Sequence, residues 1–267
     1  MSKQDEIASI NKKHWEKMVK QGCDLTRPWL NLDRDLVHKY AKGQLVSIPE
    51  PLVDMYPASV LANVEGKDVL CLASGGGQQS AVFSLLGARV TVLDLVEGQL
   101  QGDRRAAENY GYKVTTVRAD MRDISCINDE SFDLVYQASS MAYVPDVHEV
   151  YSGVARVLRV GGIYRVNFTN PAIEFVDCED WDGEGYRICR PYTEKMRRRN
   201  DGAIEFRHYL RDIFNGLLAV GFSIRQVEDN NPLDTQADPK AKPGSWRHYL
   251  SYIVGFTIVA VKEMNTF

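Results

Sequence analysis

The sequence predicts an α/β fold, a seven-stranded, mostly parallel sheet with helices on both faces, and three observations carry that expectation. From Lys67 onward, short apolar runs alternate with stretches of helical periodicity, the signature of a parallel sheet covered on both sides. A strand, a glycine-rich turn and a helix stand side by side over residues 67–86, in KDVLCLASGGGQQSAVFSLL. The link between the last two apolar runs contains no clear helix, so those runs are expected to pair antiparallel at one edge, because a parallel pair needs a crossover.

Each element has its own justification. Ile7, Ile10, Trp15, Met18 and Val19 recur at roughly helical spacing and predict a helix over residues 5–20. An irregular, aromatic, proline-bearing stretch follows. Strand one is placed at 67–72, with its helix ending near Gly87. Strands two, three and four follow at 89–93, 113–118 and 132–137. A helix over 146–158 has Val147, Val150, Tyr151, Val154 and Val157 on one face and Asp146 as N-cap. Gly161 and Gly162 are expected to break the chain before strand five at 163–168. The alternation stops between Asn170 and about Ala203, and a stretch of that length is read as a lid-like insertion. Leu210, Ile213, Phe214, Leu217 and Leu218 mark a further helix that Gly221 ends. Strands six and seven are placed at 222–227 and 251–261. Residues 1–60 thus form a helical preface covering the substrate side, and 61–267 form the sheet domain.

Composition narrows the function classes. A chain of 267 residues can bury a full core. The formal charge of −4 gives no overall attraction to nucleic acid or an anionic membrane. No apolar run approaches the ~20 residues of a membrane span, and the polar start lacks a secretion signal. Five widely spaced cysteines without a CxxC pair predict free thiols, no metal site and a cytoplasmic location.

The chemistry gathers at the predicted strand ends. Gly75, Gly76 and Gly77 follow strand one, and nineteen residues past Gly75 comes Asp94 at the end of strand two. Glycines let a backbone approach a ligand closely, and a carboxylate at the tip of the next parallel strand is placed to accept both hydroxyls of a ribose. A nucleoside-bearing cofactor is the expectation. A nicotinamide dinucleotide is the alternative, but its turn needs G-x-G-x-x-G. Here Ser80 stands at the third position, and that motif leaves Asp120 unexplained. A catalytically silent cofactor-binding protein is the other alternative.

These residues resemble the class I, Rossmann-like S-adenosylmethionine-dependent methyltransferases, in the small-molecule branch that includes UbiE-like enzymes. The resemblance covers about residues 67–262. It implies the strand order 3-2-1-4-5-7-6 with strand seven antiparallel, and S-adenosyl-L-methionine as cofactor. The family's first motif, an acid followed by three glycines at alternate positions, maps onto CLASGGG. Gly75 and Gly77 match its second and third glycines, while Ala73 stands at the first and Cys71 replaces the acid. That acid commonly helps hold the methionine amino group, so other groups near the turn must supply the contact. By the same resemblance Ala73, Ser74, Gln78 and Leu95 belong to the cofactor site, Asp94 binds the ribose, and Asp120 meets the adenine amino group. Met121 lies against the ring, and Gln137 faces the sulfonium end. LRVGG at 158–162 matches the turn before strand five.

Methyl transfer needs chiefly a dry site that brings nucleophile and methyl together, and a hydroxyl or carbon acid needs a base as well. Tyr143, in the loop after strand four, and His208 are the catalytic candidates. Arg165 could pair with a substrate carboxylate or phosphate if it faces the pocket. The partner expected is a small-molecule methyl acceptor, with neither nucleic acid nor membrane.

Overall fold

A computed structural model describes residues 3–229, 237–253 and 255–264. Its strands are β1 (Asp68–Leu72), β2 (Arg89–Asp94), β3 (Val114–Arg118), β4 (Phe132–Gln137), β5 (Leu158–Thr169), β6 (Met196–Arg198), β7 (Ile204–Phe206), β8 (Phe222–Asp229) and β9 (Gly255–Lys262). Its α-helices are α1 (Lys3–Gln21), α2 (Arg34–Ala41), α3 (Gln79–Leu85), α4 (Glu97–Tyr110), α5 (Val147–Val157), α6 (Leu210–Ala219) and α7 (Trp246–Tyr249). Seven strands form one sheet in the order β3-β2-β1-β4-β5-β9-β8. β6 and β7 form a separate hairpin, so within the large sheet the order is the 3-2-1-4-5-7-6 that the resemblance implied. β1 to β5 pair in parallel, and β9 runs antiparallel to both β5 and β8.

The two-residue period of a strand divides the core. Leu70 and Leu72 of β1 join the layer that α5 and α6 cover with Val150, Tyr151, Val154, Ile213 and Leu217. Val69 and Cys71 join the opposite layer, with Val37, Tyr40, Val82 and Phe83 from α2 and α3. β1 is buried on both faces, which is why it reads as an unbroken apolar run. The Asp146 side chain accepts the His148 N–H at 2.9 Å and caps α5 as expected.

Three local expectations are corrected. α2 lies in a stretch read as irregular. α5 passes directly into β5 at Leu158, so Gly161 and Gly162 sit within the strand rather than before it. Gly161, at φ +79°, and a register shift between Phe132 and Leu134 mark the irregularity. β9 begins at Gly255, after α7, rather than at Ser251. No residue from 170 to 203 lines the cavity. Instead β6 and β7 build a hairpin whose Ile204 and Phe206 pack on Ile7 and Ile10 of α1. The hairpin's buried Arg197 is paired with Asp177 and Glu205, and the insertion supports α1, which does line the cavity.

Candidate cofactor and acceptor site

A cavity of about 480 Å³ opens at the carboxyl ends of β1, β2, β4 and β5. The turn after β1 contributes Ala73, Ser74, Gly75 and Gln78, and the tip of β2 contributes Asp94 and Leu95. Asp120 and Met121 follow β3, and Tyr143 follows β4. Gly77 and Gln137 do not line the cavity. A side chain at Gly77 would meet the Gly102 carbonyl at 2.4 Å, so Gly77 serves close packing against α4. Gln137 is fully buried; its Nε2 donates to Ser140 Oγ at 2.9 Å and to the Met121 sulfur at 3.3 Å, and its Oε1 accepts from Tyr164. It holds lining residues in place from behind.

Backbone geometry explains the turn. Ala73 has φ +46° and Gly77 φ +78°, both in the left-handed region where glycine is favoured. Ala73 bears that conformation with a methyl group, and its N–H donates to the Leu93 carbonyl at 2.7 Å. Asp94 Oδ2 accepts the Gly75 N–H at 3.0 Å, and its Oδ1 accepts the Val96 N–H at 2.9 Å. Burial raises the Asp94 carboxyl above the ordinary carboxylate range, against the pull of those backbone donors. The backbone N–H groups of Val96, Gly75 and Leu95 all favour the carboxylate, which also lines the cavity.

Asp120 is engaged by Arg122, which lines the same wall. Its Oδ1 accepts the Arg122 backbone N–H at 2.9 Å and Nε at 3.0 Å, and its Oδ2 accepts from a terminal guanidinium nitrogen at 2.6 Å. An adenine amino group meeting Asp120 shares it with that arginine.

The two catalytic candidates separate. Tyr143 lines the cavity, with its ring edge-on to Trp15 at 5.6 Å. Burial raises its phenol well above the ordinary value, so it stays protonated at neutral pH. His208 lies outside the lining. It is buried, its Nε2 meets the Met141 carbonyl at 2.9 Å, and its ring sits edge-on to Phe168. Burial lowers its pKa, so the ring is a neutral strut behind the loop that carries Tyr143.

Several site residues escaped the sequence reading. Ala8, Asn11 and Trp15 from α1 line the cavity, as do Trp246 and Tyr249 from α7 and Leu250 and Ile253 after it. Arg165 is 2 % exposed and does reach the cavity. It donates to the Tyr56 and Gln137 carbonyls at 2.9 and 3.0 Å and to Thr257 Oγ1 at 3.2 Å, between the rings of Tyr56 and Tyr136. No carboxylate lies within 4.0 Å of it among the described residues. Gln79 and Gln99 also line the cavity, and their Oε1 atoms are buried without a partner among the described residues. Buried orphan acceptors are costly. They are the acceptors an ammonium group would satisfy where Cys71 leaves no acid. The donor set therefore fits an adenosyl amino acid.

The comparisons agree with this geometry. The profile of the methyltransferase-domain family matches residues 70–166. The chain is 34% identical over 230 residues to the uncharacterized methyltransferase YbaJ of Bacillus subtilis, covering 82% of this chain and 88% of that protein. The crystal structure of an S-adenosylmethionine-dependent methyltransferase from Mesorhizobium loti superposes with a TM-score of 0.62 at 27% identity, covering 76% of this chain and 94% of that one. A Burkholderia thailandensis 1,6-didemethyltoxoflavin-N1-methyltransferase, with its acceptor and S-adenosylhomocysteine bound, shares the fold at TM-score 0.60 and 16% identity, over 98% of this chain and 92% of that one. With family profile, full-length relative and strand-end cavity in accord, the chain belongs to the class I S-adenosylmethionine-dependent methyltransferases.

Proposed function

We propose that the cavity has a cofactor half and an acceptor half, and that the acceptor is a small molecule with an apolar ring. The observation that carries this is the division of the lining. The turn after β1, Asp94, Asp120 and Met121 give one polar side, whereas Trp15, Tyr143, Trp246, Tyr249, Leu250 and Ile253 give an aromatic and aliphatic wall. Such walls suit flat, apolar ligands. The sterol 24-C-methyltransferases among the relatives and the toxoflavin-type structural neighbour are named for ring-bearing acceptors, which supports the same reading.

When bound, S-adenosylmethionine supplies an electrophilic methyl group for in-line displacement. Asp94 holds the ribose hydroxyls, and Asp120 with Met121 holds the base. Trp15 and the α7 aromatics exclude water from the acceptor side. Tyr143, kept protonated, orients the acceptor as a hydrogen-bond donor. Asp54, at the cavity wall near Tyr56, is the carboxylate not assigned to the cofactor, and it takes a proton where the acceptor must lose one. We place the reaction in the cytoplasm, a setting supported by the five free cysteines.

Titration calorimetry with S-adenosylmethionine, S-adenosylhomocysteine and NADPH in turn tests the cofactor half. Micromolar binding of the first two and silence from NADPH is expected. Binding of NADPH alone would overturn the assignment.

A further inference from the structure

Beneath the glycine turn, α4 carries an acid on the face that otherwise presents Leu100, Ala106 and Ala107 to the core. Asp103 is 0% exposed. Its Oδ2 accepts the Gly76 N–H at 3.0 Å, and its Oδ1 accepts the Gly77 N–H at 3.0 Å and the Ser80 hydroxyl at 2.5 Å. The approach is close on both sides. A side chain at Gly102 would meet the Gly76 carbonyl at 2.6 Å, and one at Gly77 would meet the Gly102 carbonyl at 2.4 Å. The groups facing the carboxylate are Ser80 from α3, Asp94 from β2, Cys71 from β1, and Tyr112 just past α4; no cation offsets its charge among the described residues.

A buried, unpaired carboxylate is expensive, and here its three donors all belong to the cofactor turn or the first turn of α3. We propose that Asp103 is a positioning residue of the cofactor site: by accepting the Gly76 and Gly77 N–H groups it fixes the turn that in turn orients Asp94. The inference rests on reading the cavity as the S-adenosylmethionine site. The Gly76 and Gly77 amides are committed inward, so contact with the cofactor is left to the residues that line the cavity. The same geometry accounts for Cys71. An acid at that position would stand within electrostatic reach of Asp103 in a buried space, where two carboxylates repel. In this chain the acid beneath the turn comes from α4 instead of β1.

Ionisation gives the proposal a distinctive readout. Burial pushes the Asp103 carboxyl up to about 7, with Asp94 adding to the rise and the three donors opposing it. The ionised form accepts all three donors, whereas the protonated form presents a hydroxyl to one of them. Cofactor affinity should therefore be flat above pH 7 and weaken about tenfold per unit below it, as one linked proton requires. The probe is S-adenosylhomocysteine, measured by calorimetry from pH 5.5 to 8.5, alongside melting of the ligand-free protein. Wild type is expected to show that one-proton dependence. Asp103→Asn should bind at least about tenfold more weakly at pH 8, lose the dependence, and melt no lower than wild type, because a buried charge is gone. Ser80→Ala, which removes one donor, should move the midpoint upward. Wild-type binding at pH 8 matched by Asp103→Asn overturns the inference. So does a pH dependence that survives Asp103→Asn, since Asp94 is then the titrating group. If Asp103→Asn fails to fold, an unmoved Ser80→Ala midpoint overturns it instead. Silence from wild type at every pH would instead sink the reading of the cavity itself.

Discussion

Asp94 joins the glycine turn to the cavity wall. It receives Gly75 N–H and Val96 N–H, and it stays nearly buried at 9% exposure. On the proposed reading, Asp94→Ala removes a charged acceptor of two ligand hydroxyls, worth about 1.5–3 kcal/mol. S-adenosylhomocysteine should then bind about ten- to a hundredfold more weakly by calorimetry, and unchanged affinity would contradict the assignment. The place of Asp94 at the cavity wall was legible in the sequence, because an acid at the tip of the second parallel strand stands at the sheet's ligand edge. Asp103 was not legible, because its partners lie 23 to 27 residues away and only the packed turn brings them together. The one available signal was an acid on an apolar helix face. Gln137 is a contrasting case. Its position at a strand end suggested a ligand contact, but its neighbours on β5 and after β3 occupy it.

At the scale of elements, burial on both faces made β1 and β4 readable, and strong amphipathic periodicity did the same for α5 and α6. The hairpin β6–β7 has strands of three residues each, too short for a periodic signal, and only β6 falls within the stretch whose length alone suggests a lid-like insertion. Its function is to dock α1. Asn11 Nδ2 donates to the Ile204 carbonyl at 2.9 Å, and the Ile204 N–H donates to Asn11 Oδ1 at 2.8 Å, so one side chain closes the exposed ladder of β7. Asn11→Ala leaves a buried N–H and a buried C=O without partners, a cost of about 1–3 kcal/mol. Denaturant unfolding should show that loss. Hydrogen exchange should also show faster opening of α1, and a variant as stable as wild type would contradict the docking role. Because Trp15 lies one turn further along α1, acceptor affinity should fall in the same variant more than cofactor affinity.

Over the whole molecule, buried acids and arginine-paired surface acids oppose one another in their effect on stability. Asp103 is held near 7, and Glu174, in the segment after β5, is pushed up to about 8 by burial and by nearby Glu205. Groups raised above their unfolded values contribute stability that is present at low pH and is lost as pH rises through the folded value. Acids with arginine partners act in the opposite sense. Asp68, bonded to Arg89 and Arg159, and Asp182, bonded to backbone amides and Arg187, lie below the ordinary range, and their contribution is lost only as pH falls below about 4. The ligand-free protein should therefore melt highest between about pH 4 and 5, lose stability from there to about pH 8, and change little beyond it. Each proton contributes up to about 1.4 kcal/mol per pH unit, or about 3–6 °C for a domain of this size. Glu174→Gln should flatten the profile between about pH 5 and 8 without weakening S-adenosylhomocysteine binding, since Glu174 does not line the cavity. A melting temperature that climbs from pH 6 to 8.5 would show that these acids are not held as the packing implies. Saturating S-adenosylhomocysteine should reverse part of the loss between about pH 5.5 and 7, because the ligand favours the fixed turn and with it the ionised Asp103, and its effect should be constant above pH 7.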